Sequence, residues 1–124
     1  MSTIYKLTEL FQKNLQEIRN NLIDCVVVHI FDNTSLNCGE ITHVYNIDES
    51  YTLQKHDITL NIEGDVIVKT VSLDGDEIEI LEQYLYLNLF TNEGSLSYKI
   101  DLGDCMDYCN FLTKEYSIPE FSLL

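Results

Sequence analysis

The residues best equipped for chemistry are four cysteines, Cys25, Cys38, Cys105 and Cys109, and three histidines, His29, His43 and His56. Cys105 and Cys109 stand four apart, a spacing that turns both thiols to one side of a helix. With His29, His43 or His56 they would complete a zinc site of two thiolates and two imidazoles. Such sites draw on two close pairs of ligands, and no second close pair exists here, so no metal is expected. Cys38 offers a nucleophile, since Gly39 follows it and His43 comes soon after. A thiol attacks only when a base lies within hydrogen-bond reach, and a loop cysteine near a histidine is common by chance, so no catalytic residue is assigned. All three histidines are expected on strands.

Carboxylates are the other candidates. Asp74-Gly75-Asp76-Glu77 matches the start of a calcium loop but lacks the rest of its pattern, and reads better as a hairpin turn. Glu77 and Glu79 fall on one face of a strand, as paired glycosidase acids could, yet the chain has no Trp to stack on a sugar. Its five glycines are single turn residues, so no Gly-rich loop cradles a phosphate and no cofactor is expected.

Charge is more informative than any motif. Seven basic and twenty-one acidic residues give a net charge of −14 over 124 residues. Met1–Ile23 carries Lys6, Lys13 and Arg19 against Glu9 and Glu17, or +1, leaving −15 on the remainder. Such a body is repelled by phosphate backbones and anionic membranes and steered toward basic partners, which excludes direct nucleic-acid binding. The apolar fraction of 45% belongs to a folded chain, and the length suits one domain, 1–124. No apolar stretch suits a signal peptide or a membrane span, so a cytoplasmic protein with reduced thiols is expected.

The elements that must position these residues follow from periodicity. Leu7, Leu10, Phe11, Leu15, Ile18 and Leu22 form one stripe and predict a helix over 3–22, capped by Ser2 or Thr3. The β-branched run Cys25–Phe31 predicts a central strand buried on both sides. Glu40–Ile47 predicts a strand ending in a turn at Asp48-Glu49-Ser50, and Tyr51–Ile62 another with a break near His56-Asp57. Glu63-Gly64-Asp65, Asp74-Gly75-Asp76 and Asn92-Glu93-Gly94 are the expected hairpin turns of an acidic meander over 57–101. Residues 84–90 alternate as a strand facing Leu96, Tyr98 and Ile100, whereas 77–82 fits strand or helix, with strand preferred. Met106, Cys109, Leu112 and Tyr116 predict a second helix over 104–116, capped by Asp104, before a 117–124 tail that docks Phe121 and Leu124. The expected class is α+β, with an antiparallel sheet of five to six strands within 25–101 between two amphipathic helices.

In size, acidity and lack of a catalytic motif, the chain resembles small acidic inhibitors. These are immunity proteins that neutralise a cognate toxin, and phage proteins that block nucleic-acid-directed defence enzymes. The resemblance implies a non-enzymatic binder that occludes a basic surface on a nuclease or other nucleic-acid-binding protein. The expected binding residues are Asp65, Asp74, Asp76, Glu77, Glu79, Glu82 and Glu93, with Tyr84, Tyr86 and Tyr98 adding amphipathic contact area. Two other classes fit the composition: an acidic secretion-type chaperone acting as a homodimer, and a small cysteine-dependent enzyme.

Overall fold

The computed structural model describes residues 3–34, 42–53, 57–72, 76–113 and 120–123. The chain opens with α1 (Thr3–Lys13) and α2 (Leu15–Val26), continues through a π-helical turn (Val27–Phe31) and closes its helical part in α3 (Asp32–Thr34). The described strands are β1 (Thr42–Thr52), β2 (Thr59–Thr70), β3 (Glu77–Thr91), β4 (Gly94–Asp101), β5 (Cys105–Asp107) and β6 (Glu120–Leu123), with α4 (Tyr108–Thr113) between the last two. They form one antiparallel sheet in the order β1-β2-β3-β4-β6, and β5 pairs with the start of β3. The fold is α+β, a meander flanked by N- and C-terminal helices.

The helix predicted over 3–22 is broken at Asn14. Its N–H is shared between Leu10 O (3.1 Å) and Phe11 O (3.2 Å), while its side-chain amide donates to Leu10 O at 2.8 Å. A side chain that competes for backbone carbonyls weakens a helix interior, and the chain restarts as α2. The apolar stripe survives the break, with Leu7, Phe11, Ile18 and Leu22 all buried.

The central strand expected at Cys25–Phe31 is instead helical. A strand covered on both faces would bury every residue, but Val28 is 55% exposed while Cys25, Val26, Ile30 and Phe31 are buried. Asp32 N–H donates to Val27 O, five residues back, so one turn is widened by a residue. That widening brings both Ile30 and Phe31 into the core. β-Branched side chains disfavour a helix only weakly, and a buried stripe continuous with α2 outweighs them.

Two expected turns lie inside strands. β1 runs through Asp48-Glu49-Ser50, and β2 runs through Glu63-Gly64-Asp65. Gly64 opposes Ile47 on one side and Leu85 on the other. It has φ of 138°, and a Cβ there would lie 1.7 Å from Tyr84 O. Glycine is needed because β3 presses on it, not because the chain reverses. The hairpin turn at Asn92-Glu93 stands as expected, joining β3 to β4.

Residues 77–82 are strand. Ile67 opposes Glu82 but Val68 opposes Ile80, so Leu81 is an extra, exposed residue in a bulge. Inward positions change there from Ile78 and Ile80 to Leu85, Leu87 and Leu89. This change of phase gave the sequence its mixed helix and strand signal.

The second helix begins at Tyr108, not at the expected position 104. Asp104 and Cys105 belong to the sheet end, where Ile80 N–H donates to Asp104 O at 2.7 Å. The cap is Asp107, whose Oδ1 accepts from Asn110 N–H at 2.9 Å, a typical N-cap bond to the third helical residue. The expected tail holds β6, whose backbone pairs with β4 from Tyr98↔Leu123 to Asp101↔Glu120. Tyr116 and Leu124 lie outside the described residues, as does the Ser2 cap.

The core lies between the helices and one face of the sheet. Phe11 stacks on Tyr98 with ring centroids 4.2 Å apart, and Phe31 meets Tyr108 edge-on at 5.2 Å. The other face of β1–β4 has no helix on it among the described residues.

Candidate binding face

Residues directly opposed across an antiparallel ladder point to the same side of the sheet. Ile47, Ile62, Val66, Leu85, Leu87 and Ile100 are buried against the helices. Their sequence neighbours therefore form the open face. It carries Asn46 and Asp48 on β1, Glu63 and Asp65 on β2, Glu77, Glu79, Glu82, Tyr84 and Tyr86 on β3, and Asp101 on β4. Among the described residues of β1–β4, the cations on this face are Lys69, opposite Glu79, and Lys99, opposite Tyr86.

A ladder of side-chain hydrogen bonds crosses this face. Ser97 Oγ donates to Asn88 Oδ1 (2.7 Å), and Asn88 Nδ2 donates to Asn61 Oδ1 (2.9 Å) and Glu63 Oε1 (3.0 Å). Asn61 Nδ2 in turn donates to Asp48 Oδ1 at 3.0 Å. Both asparagines are only 9% exposed although they sit on the open side. Buried amides held by several partners have few alternative rotamers, so Asp48 and Glu63 are fixed in direction. Asn46 Nδ2 likewise donates to Asp65 Oδ1. Asn46, Asp48, Glu63, Asp65, Tyr84 and Tyr86, over the backbone at Ile47 and Gly64, line a shallow, open depression of about 380 Å³.

Tyr84 donates its hydroxyl to Glu82 Oε1. That bond, with the charge of the same carboxylate, raises the phenol above its ordinary pKa. Tyr84 is exposed and Tyr86 half-buried, so both present ring area beside the carboxylates.

The expected site residues divide sharply. Asp65, Glu77, Glu79, Glu82, Tyr84 and Tyr86 share the open face, and exposed Asp76 sits beside it in the β2–β3 connection. Asp74 lies outside the described residues. Glu93 is in the β3–β4 turn, 3.9 Å from Lys6 on α1, at the far end of β3 from Glu77. Tyr98 does not belong to the face at all: it is 6% exposed and stacked on Phe11. Asp48, Glu63, Asn61 and Asn88 were not anticipated. Asn61 and Asn88 each interrupt a run of leucine and isoleucine, and asparagine is depleted in strands, so that was the available signal.

The chemistry-bearing residues are dispersed. Cys105 lies on β5 and Cys109 on α4, so they do not share a helix face, and Cys109 is exposed, not part of a buried stripe. Burial, then the charges of Glu77, Glu79 and Asp107, hold the Cys105 thiol above its ordinary pKa and hence protonated at neutral pH. Cys25 is buried, and its thiol is pushed up to about 11 by burial, with the Glu49 charge adding and a hydrogen bond with Tyr51 opposing. His29 is helical, not on a strand, and bonds Glu49 Oε1 at 2.9 Å. His43 stacks on Tyr45. Cys38 and His56 lie outside the described residues. Among those described, no three His, Cys, Asp or Glu side chains are placed to hold a metal ion, and no helix is long and apolar enough to cross a membrane. No protein-family model, curated protein or solved structure matches the chain.

Proposed function

We propose that the protein is a non-enzymatic inhibitor whose open sheet face covers a basic functional surface of another protein, most simply that of a nuclease or other nucleic-acid-directed enzyme. The observation that carries this is the one-sided face: Glu63, Asp65, Glu77, Glu79 and Glu82 around Tyr84 and Tyr86, with Lys69 and Lys99 as the opposing charges. A sheet fixes the spacing of its side chains, and the amide ladder fixes two carboxylates further, so the array needs little ordering on binding. Long-range attraction would bring a basic cleft onto the face, and the tyrosine rings would be buried at its centre.

The test is the charge-reversed variant Asp65→Lys, Glu77→Lys, Glu79→Lys and Glu82→Lys, paired with the basic protein recovered from the native host. Stopped-flow association at low salt should slow by about ten- to a hundredfold, and its salt dependence should vanish. Retained inhibition of the partner with an unchanged association rate, in a variant whose circular dichroism is native, would refute the electrostatic mechanism.

A further inference from the structure

We infer that the free edge of β1 receives an extended segment of the partner, rich in Lys or Arg at alternate positions, which adds to the sheet as a further strand. This rests on the function proposed above and specifies how the partner is held.

β1 ends the sheet order, and β2 is its one neighbour among the described residues. In an antiparallel pair, residues alternate between bonding the neighbour and pointing their backbone groups away. The bond from Leu53 N–H to Ile58 O (3.0 Å) sets the phase, and that from Val71 N–H to Glu77 O (3.1 Å) continues it on the far side of β2. By that phase Thr42, Val44, Asn46, Asp48, Ser50 and Thr52 turn their N–H and C=O groups to the outer edge. Their side chains are all exposed.

Exposed edges are usually blunted by Lys, Pro or a bulge. Thr42–Thr52 contains no Lys or Pro, and its eleven residues pair with β2 without a register shift. Glu49, the one charge on its inward side, is tied to His29 at 2.9 Å and so does not spoil the edge. The rail is long and has no bulge.

Charge selects the occupant. Asp48 lies on the edge strand, and Glu63 and Asp65 lie one strand inward on the same face. A second copy would set −14 against −14 and bring its own Asp48 to the seam. A basic strand instead places one cation beside Asp48 and another across Asn46 from Asp65. Near the start of β1 it meets Val44, 59% exposed, with an apolar side chain.

Nitrogen-15 NMR of the full chain, titrated with a synthetic peptide alternating Lys and Val, tests this. The amides of Val44, Asn46, Asp48 and Ser50 should exchange quickly in the free protein and slow on peptide binding. The same peptide N-methylated at alternate residues keeps its charge but loses its edge donors, and should bind about tenfold or more weakly. Val44→Pro removes one outward donor and should weaken binding similarly, whereas Val44→Thr should not. If Val44→Pro fails to fold, the N-methylated peptide alone decides.

Slow exchange of these amides in the free monomer, or protection that grows with protein concentration alone, would overturn the inference. Equal binding of the methylated peptide would also overturn it while leaving the acidic face intact. The reverse outcome, edge protection that survives the fourfold charge reversal, would remove the face and leave the edge.

Discussion

Tyr84, Tyr86 and Tyr98 show what a residue's type leaves undecided. Tyr84 and Tyr86 alternate with Leu85 and Leu87, whereas Tyr98 shares its phase with Leu96 and Ile100. Register separates them: Tyr86 lies opposite Lys99, so Tyr98, one position away from Lys99, must face the core. Cys25 is the opposite case, because its place in an apolar run announced its burial. Its folded pKa of about 11 exceeds the ordinary 9.0, so the unfolded chain releases this proton first as pH rises. The thiol's contribution is therefore complete below pH 9 and is lost as pH climbs toward 11. The loss should be on the order of 2 kcal/mol. Tyr51, raised mainly by its own burial, acts in the same direction. Urea midpoints followed across this range should fall in the native protein and fall less in Cys25→Val. Parallel curves would mean that Cys25 does not titrate differently in the two states.

At the scale of elements, the sequence carried the meander's class better than its corners. Glu63-Gly64-Asp65 has the composition of a turn, yet Gly64 is required by the approach of Tyr84 O, a contact between strands that no local pattern encodes. Likewise the β-branched run at Cys25–Phe31 has strand composition, and only a helix delivered in phase by Leu22 makes it helical. The strand over 84–90 was legible because no bulge interrupts it. Gly64→Ala is accordingly a sharp test of the continuous β2. With φ of 138° and a backbone oxygen 1.7 Å from the new Cβ, the substitution should cost about 3 kcal/mol or more in urea unfolding. A cost below about 1 kcal/mol would fit a glycine in an open turn instead.

Across the whole molecule, acidity was fully legible and its placement only in part. Of the carboxylates expected along hairpin ends and one sheet face, Asp65, Glu77, Glu79 and Glu82 share that face, Glu93 lies beside Lys6, and strand interiors add Asp48 and Glu63. A net charge of −14 on one small domain opposes compaction, and surface pairs such as Lys13 with Glu9 at 3.2 Å offset little of it. Raising sodium chloride from low to physiological strength should therefore raise the thermal midpoint by several degrees as the repulsion is screened. A midpoint that falls with salt would show attractive pairs dominating. The stacking of Phe11 on Tyr98 reaches further than its contact area suggests. A ribosome delivers α1 and α2 long before β4, so their greasy side emerges with nothing to rest on. α1 must wait for nearly the entire chain, a distant native pairing of the kind that slows folding and gives a nascent-chain chaperone a defined interval in which to act.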